Sequence, residues 1–126
     1  MNNASSITEE TIEGSLFPAF DTGIQNSVGY DCQLVLDAAE APVAFYAVEA
    51  DQTNFGDQTF GLRVARRAGE GTWELDWVDE GCEVVALSAG RFAGDDTLSV
   101  AYAVKENNGV NTVYYLKYAA FQNNTW

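Results

Sequence analysis

The chain has 126 residues, six Lys and Arg against nineteen Asp and Glu, no His, and a formal net charge of −13 at pH 7. Without imidazole, Ser–His and Cys–His nucleophilic systems and His-ligated metals are excluded, and so acidic a surface repels phosphate backbones and anionic lipid, so neither nucleic acid nor membrane is an expected partner. The 47% apolar content, with three Trp, six Tyr and seven Phe, is ample for the core of one domain or one protomer of an assembly.

In chain order, residues 1–14 are polar (Asn2, Asn3, Ser5, Ser6, Glu9, Glu10, Glu13) and read as a flexible lead-in, or as an arm on a neighbour. They show no basic segment followed by an apolar one, and no run approaches the length of a membrane helix. A complete chain is therefore expected in the cytoplasm, and one that has lost a leader outside the cell. Strands are expected at 15–20, 31–37, 41–49, 58–67, 73–79, 82–88, 97–105 and 111–121, where Val, Leu, Tyr, Phe and Thr lie between Gly, Asn and Asp clusters. Pro18 suits an edge strand, because it donates nothing to a ladder. Cys82–Leu87 and Leu98–Val104 are short apolar runs, expected to be buried on both faces. Val113–Tyr118 is more mixed, and Asn107-Asn108-Gly109 signals a turn. No segment has a capped apolar period of 3.6 residues.

Leu62-Arg63-Val64-Ala65 followed by Trp73 recurs as Leu116-Lys117-Tyr118-Ala119 followed by Trp126. With the two Trp superposed, Phe45-Tyr46 falls on Ala101-Tyr102 and Leu36 on Leu87. The stretch after Trp73 has its equivalent near the start of the chain, where Asp21 and Gly23 match Asp79 and Gly81, and Ser15 takes the Trp73 place. Two copies follow, 15–72 and 73–126, of about 55 residues each, close to the period of a propeller blade. The fold expected is all-β: two four-stranded antiparallel propeller-like blades, with 15–20 as the fourth strand of the second. Two blades cannot close a ring that needs about four to eight. The chain is therefore expected to join copies of itself head to tail, as a trimer of six blades, or else a dimer of four or a tetramer of eight. The alternative is a compact β-sandwich in which 15–20 fold back on their own chain, as a monomer or a plain two-fold dimer.

Residues 89–102, Ala-Gly-Arg-Phe-Ala-Gly-Asp-Asp-Thr-Leu-Ser-Val-Ala-Tyr, resemble an FG-GAP repeat of integrin-like β-propellers. The turns Gly69-Glu70-Gly71-Thr72-Trp73 and Gln122-Asn123-Asn124-Thr125-Trp126 are similar to the Asp-box turns of sialidase-like propellers, though without their Ser and Asp. Both resemblances imply propeller blades, and neither implies a particular activity. In the FG-GAP family this loop often binds calcium. Here Arg91 and Leu98 occupy places where acids would stand, leaving Asp95 and Asp96, and two carboxylates fall short of the six to eight oxygens calcium takes. No metal or cofactor is expected.

Cys32 and Cys82 fall one residue out of register when Leu36 is set on Leu87, each at the start of a blade's first strand. They read as small buried hydrophobes, with a disulfide between blades as the alternative. An enzyme is not expected. The only chemistry left open is carboxylate hydrolysis, with Asp37, Asp79, Asp95 and Glu106 as candidates and nothing that singles out a pair. A binding role has more support, because repeated aromatics beside loops stack on sugars or grip a partner. Trp73, Trp77 and Trp126, with Asp95 and Asp96, are the candidate ligand-binding residues, although Trp73 and Trp126 also read simply as packing between blades. Arg66-Arg67 is the one basic pair and reads as an anion contact or a salt bridge to Glu70. The function expected is a non-catalytic, carbohydrate- or protein-binding homo-oligomer. The alternatives are a structural or interaction protein without a small ligand, and a carboxylate-dependent glycoside hydrolase.

Overall fold

A computed structural model describes residues 9, 10, 12, 24–52 and 57–126. The expected strand at 15–20, with Pro18, Asp21 and Gly23, lies outside the described residues. The rest is all-β, in two antiparallel sheets of four and three strands. The first is a meander of β1 (Ile24–Leu36), β2 (Pro42–Gln52), β3 (Asp57–Gly69) and β4 (Thr72–Glu80). The second is a meander of β5 (Glu83–Arg91), β6 (Leu98–Asn107) and β7 (Thr112–Ala120).

Six of these strands lie close to where the sequence places them, and β1 overlaps its expected range, because the turn chemistry is local. Asn107 Oδ1 accepts the Gly109 N–H at 3.0 Å, Asn108 Oδ1 accepts that of Asn111 at 2.8 Å, and Gly109 has a φ of 88°. Gln122 and Thr125 exchange backbone hydrogen bonds across Asn123 and Asn124, both at positive φ, the geometry of a two-residue type I′ turn. Gly69 and Thr72 are also paired ahead of Trp73, but of the two residues between them only Gly71 has a positive φ. Each of the two Trp thus directly follows the Thr that closes a two-residue turn.

The two sheets also share their register. Tyr46 lies opposite Arg63 and Ala47 opposite Leu62; Tyr102 lies opposite Lys117 and Ala103 opposite Leu116. These pairings match the residues that the sequence superposes, although the β2–β3 hairpin is one residue pair longer than the β6–β7 hairpin. Cross-strand partners share a face, so equivalent residues occupy equivalent faces.

Two expectations are corrected. First, Leu87 is not the equivalent of Leu36: it lies opposite Tyr102, whereas the residue opposite Tyr46 is Cys32. β1 begins at Ile24 rather than near residue 31, carried by pairing with β2 through a bulge between Val28 and Cys32, so Cys32 sits well inside its strand. Second, β5 and β6 are buried on one face only. Leu98, Val100, Tyr102 and Val104 are buried while Ser99, Ala101 and Ala103 are half-buried, and Val85 and Ala86 are exposed. Nothing among the described residues covers that outer face.

The inner faces of the two sheets meet. Val43, Phe45, Ala47, Leu62 and Val64 of the first pack on Val84, Leu87, Val100, Tyr102 and Val104 of the second, with β5 nearest to β1, β2 and β3. β2 is buried on both faces. Its Ala44, Tyr46 and Val48 join Ala65 on the outer face of the first sheet, beneath Trp73, Trp77 and Ile12. Two stacked antiparallel sheets fit a sandwich as well as two blades.

Candidate functional site

An aromatic cluster forms where the Gln122–Thr125 turn brings Trp126 back against the first sheet. Trp126 meets Phe45 edge-on at 5.3 Å and Phe121 at 5.2 Å between ring centroids. Arg66 reaches over them from β3, its guanidinium carbon 4.1 Å from the Phe121 centroid and 6.0 Å from that of Trp126. Arg66 Nη2 is buried with no hydrogen-bond partner among the described residues, so ring contacts, not hydrogen bonds, hold that end of the guanidinium.

Opposite this aromatic wall stands β4. Register sets Glu74 against Arg66 and Asp76 against Val64, so both carboxylates project from the inner face, two residues and thus about 7 Å apart along the strand. With Asn124 from the turn they complete a cleft of about 260 Å³. The cleft thus sets the apolar surfaces of Phe121 and Trp126 beside carboxylate, amide and guanidinium groups. Glu74 and Asp76 are both exposed, on the sheet's edge strand.

The five expected ligand residues do not converge. Trp126 lines the cleft. Trp73 and Trp77, four residues apart on β4, lie on the opposite, outer face of the first sheet, where Arg63 stacks on Trp77 at 4.3 Å. Asp95 and Asp96 sit in the β5–β6 turn. Asp95 Oδ1 accepts the Thr97 N–H at 3.1 Å, hydrogen bonds from Thr97 hold its carboxyl below the usual range, and Asp96 pairs with Arg91 at 3.4 Å. Those two acids are spent on the turn. Among the described residues no group of three or more Cys, Asp or Glu side chains is placed to hold a metal ion.

The acids weighed for hydrolysis are also scattered. Asp37 Oδ1 accepts the N–H groups of Ala39 and Ala41 at 2.9 Å and shapes the β1–β2 turn. Glu106 is exposed near the end of β6. Asp79 ties the sheets together: its Oδ2 accepts from Tyr102 Oη at 2.8 Å and from Lys117 Nζ at 2.9 Å, and its carbonyl accepts from Cys82 Sγ at 3.5 Å. Burial opposes ionisation of Asp79, but the bonds from Lys117 and Tyr102 outweigh it and its carboxyl is held below the ordinary value. Burial pushes the Cys82 thiol up to about 11 and, with the hydrogen bond to Asp79, pushes the Tyr102 phenol up as well. Both cysteines are free, Cys32 exposed and Cys82 buried.

On the outer face of the first sheet, Arg67 takes a bidentate grip on Glu10, with Nε 2.9 Å from Oε2 and Nη2 2.9 Å from Oε1, and the Gly71 N–H donates to the same carboxylate at 2.6 Å. The hydrogen bond from Arg67 is the main cause that takes the Glu10 carboxyl down to about 2. Glu10, Ile12, Arg67 and Trp73 line a shallow hollow there. The partner of Arg67 is thus Glu10, not the expected Glu70.

Sequence reasoning missed Glu74, Asp76 and Asn124. The alternation Trp73-Glu74-Leu75-Asp76-Trp77 is a legible signal that the acids and the Trp face opposite ways, but which way faces the cleft depends on how the sheets stack. Comparison with known proteins finds no matching family model, no similar curated protein and no similar solved structure.

Proposed function

We propose that this chain is a non-catalytic binding module that works as a homo-oligomer of propeller-like blades and takes carbohydrate in the Trp126 cleft. The observation that carries this is the cleft itself: Trp126 and Phe121 on one side, Glu74 and Asp76 on the other, with Arg66 and Asn124 between. The shared register of the two sheets supports the blade reading. The exposure of Glu74 and Asp76 favours binding over hydrolysis.

The test is a glycan array followed by calorimetry on the intact chain and on Glu74→Gln and Asp76→Asn. Saturable binding of a glycan, weakened about tenfold or more by either substitution, is the expected result. An array with no glycan bound rejects the carbohydrate reading. Glycan cleavage lost in the same variants would instead make the chain a hydrolase. A second reading, an interaction protein without a small ligand, is favoured by one observation: Leu116, Tyr118 and Tyr114 of β7 are 83%, 68% and 63% exposed.

A further inference from the structure

We propose that the outer face of the three-stranded sheet packs on the outer face of the four-stranded sheet of a second copy, front to back, repeating the contact the two sheets make within one chain. The inference rests on the homo-oligomeric reading above and names the surfaces that would carry it.

The first observation is the outer face of the second sheet. Register puts Tyr114, Leu116, Tyr118 and Ala120 on one side of β7, beside Ala101 and Ala103 of β6 and Ala86 and Ser88 of β5. Apart from Lys105 and Glu83 at one end, paired at 3.8 Å, these residues are uncharged, on a chain of net charge −13. A contiguous apolar face of this kind on so acidic a chain marks an interaction surface.

The second observation says what covers it. By register, Leu116, Tyr118 and Ala101 stand where Leu62, Val64 and Phe45 stand in the first sheet. Those three are 0%, 1% and 0% exposed, buried against Val100, Tyr102 and Val104. The residues equivalent to Val100, Tyr102 and Val104 are Ala44, Tyr46 and Val48, which form the outer face of the first sheet. The face of the second sheet that no described residue covers therefore matches a face whose counterpart already packs on its equivalent inside the chain.

Side-chain volumes are exchanged across the proposed contact. Trp126 packs edge-on against Phe45. Its equivalent Trp73 would meet Ala101, a smaller residue, while Tyr118 replaces the smaller Val64. Because the two surfaces differ, the contact is heterologous and propagates until a ring closes. In the single chain Ile12 packs on the outer face of the first sheet, so association must move that segment aside.

The test places a photo-reactive benzoylphenylalanine at position 118, and separately at 116, in the intact chain. Isotopically light and heavy copies are mixed, irradiated and digested. Cross-links between light and heavy chains into residues 43–48, 61–67 or 73–77 are the expected result. Cross-links between chains into 83–120 would show a two-fold pairing of like faces and overturn the proposal while leaving the homo-oligomeric reading intact. Cross-links only within a chain, or none, overturn it too, and solution mass measured alongside shows whether oligomerisation fails with it. Loss of glycan binding with the expected cross-links would reject the ligand and keep the interface. As a check independent of the probe, Leu116→Glu at this exposed site keeps the circular dichroism of the wild type and weakens self-association at least about tenfold, since it places a charge in an apolar contact.

Discussion

Tyr102 donates a 2.8 Å hydrogen bond to Asp79, tying the middle strand of one sheet to the edge strand of the other. Lys117 shares that carboxylate, so one acid on β4 gathers β6 and β7. Asp79→Asn keeps one acceptor and loses the charge, at a cost of about 1–2 kcal/mol at neutral pH. Since the folded carboxyl lies below its ordinary 3.8, its contribution is present above that value and fades as pH falls through the folded value. Denaturant unfolding from pH 7 to pH 3 should show a fall in wild-type stability below about pH 4 that is shallower in Asp79→Asn. Parallel curves would reject the tie.

Gly61 is the position where β3 admits no side chain. A Cβ there would lie 2.5 Å from the Asp79 carbonyl oxygen and 2.7 Å from the Trp77 ring, at a φ of 155°. The backbone oxygen cannot step aside as a flexible side chain would. Gly61→Ala is expected to destabilise by about 1–3 kcal/mol, the range of overpacking. Urea unfolding reads this directly, and an unchanged midpoint contradicts it.

The two thiols should separate cleanly by reactivity. Cys32 is exposed on β1, whereas Cys82 is buried with its thiol pushed up to about 11, and the thiolate is the reacting species. Iodoacetamide at pH 8 is expected to modify Cys32 in the native chain and Cys82 only after unfolding, as read by peptide mass spectrometry. Equal rates, or a native chain that resists until reduced, would contradict this placement.

The all-β class and six of the strands were legible because β-branched and aromatic runs alternate with Asn and Gly turns, which act locally. β1 was read short because Gln25, Asn26 and Ser27 have little strand propensity, and pairing with β2 overrides it. Leu36 was set on Leu87 by residue likeness, where the ladder, with its bulges, sets Cys32 there. The repeat found Trp126, but grouping it with Trp73 and Trp77 placed equivalents on different sheets side by side. Among nineteen acids, nothing marks Glu74 and Asp76 until register and stacking point them into one cleft.

Glu10 ties the N-terminal segment to the face that the proposed contact would cover. Glu10→Gln removes the charge that Arg67 grips and should release that segment. The assembled fraction at a fixed concentration is expected to rise, by sedimentation velocity. A lower assembled fraction would mean that the segment supports the contact rather than competing with it.

The most direct measurement is the solution mass by light scattering of the wild type and of Leu116→Glu, each near 13.7 kDa per chain. Front-to-back packing predicts a whole multiple of that mass for the wild type, three copies being the favoured ring, and a shift toward the single chain for Leu116→Glu. A wild-type mass of one chain across micromolar concentrations, or a variant that assembles as the wild type does, would contradict it.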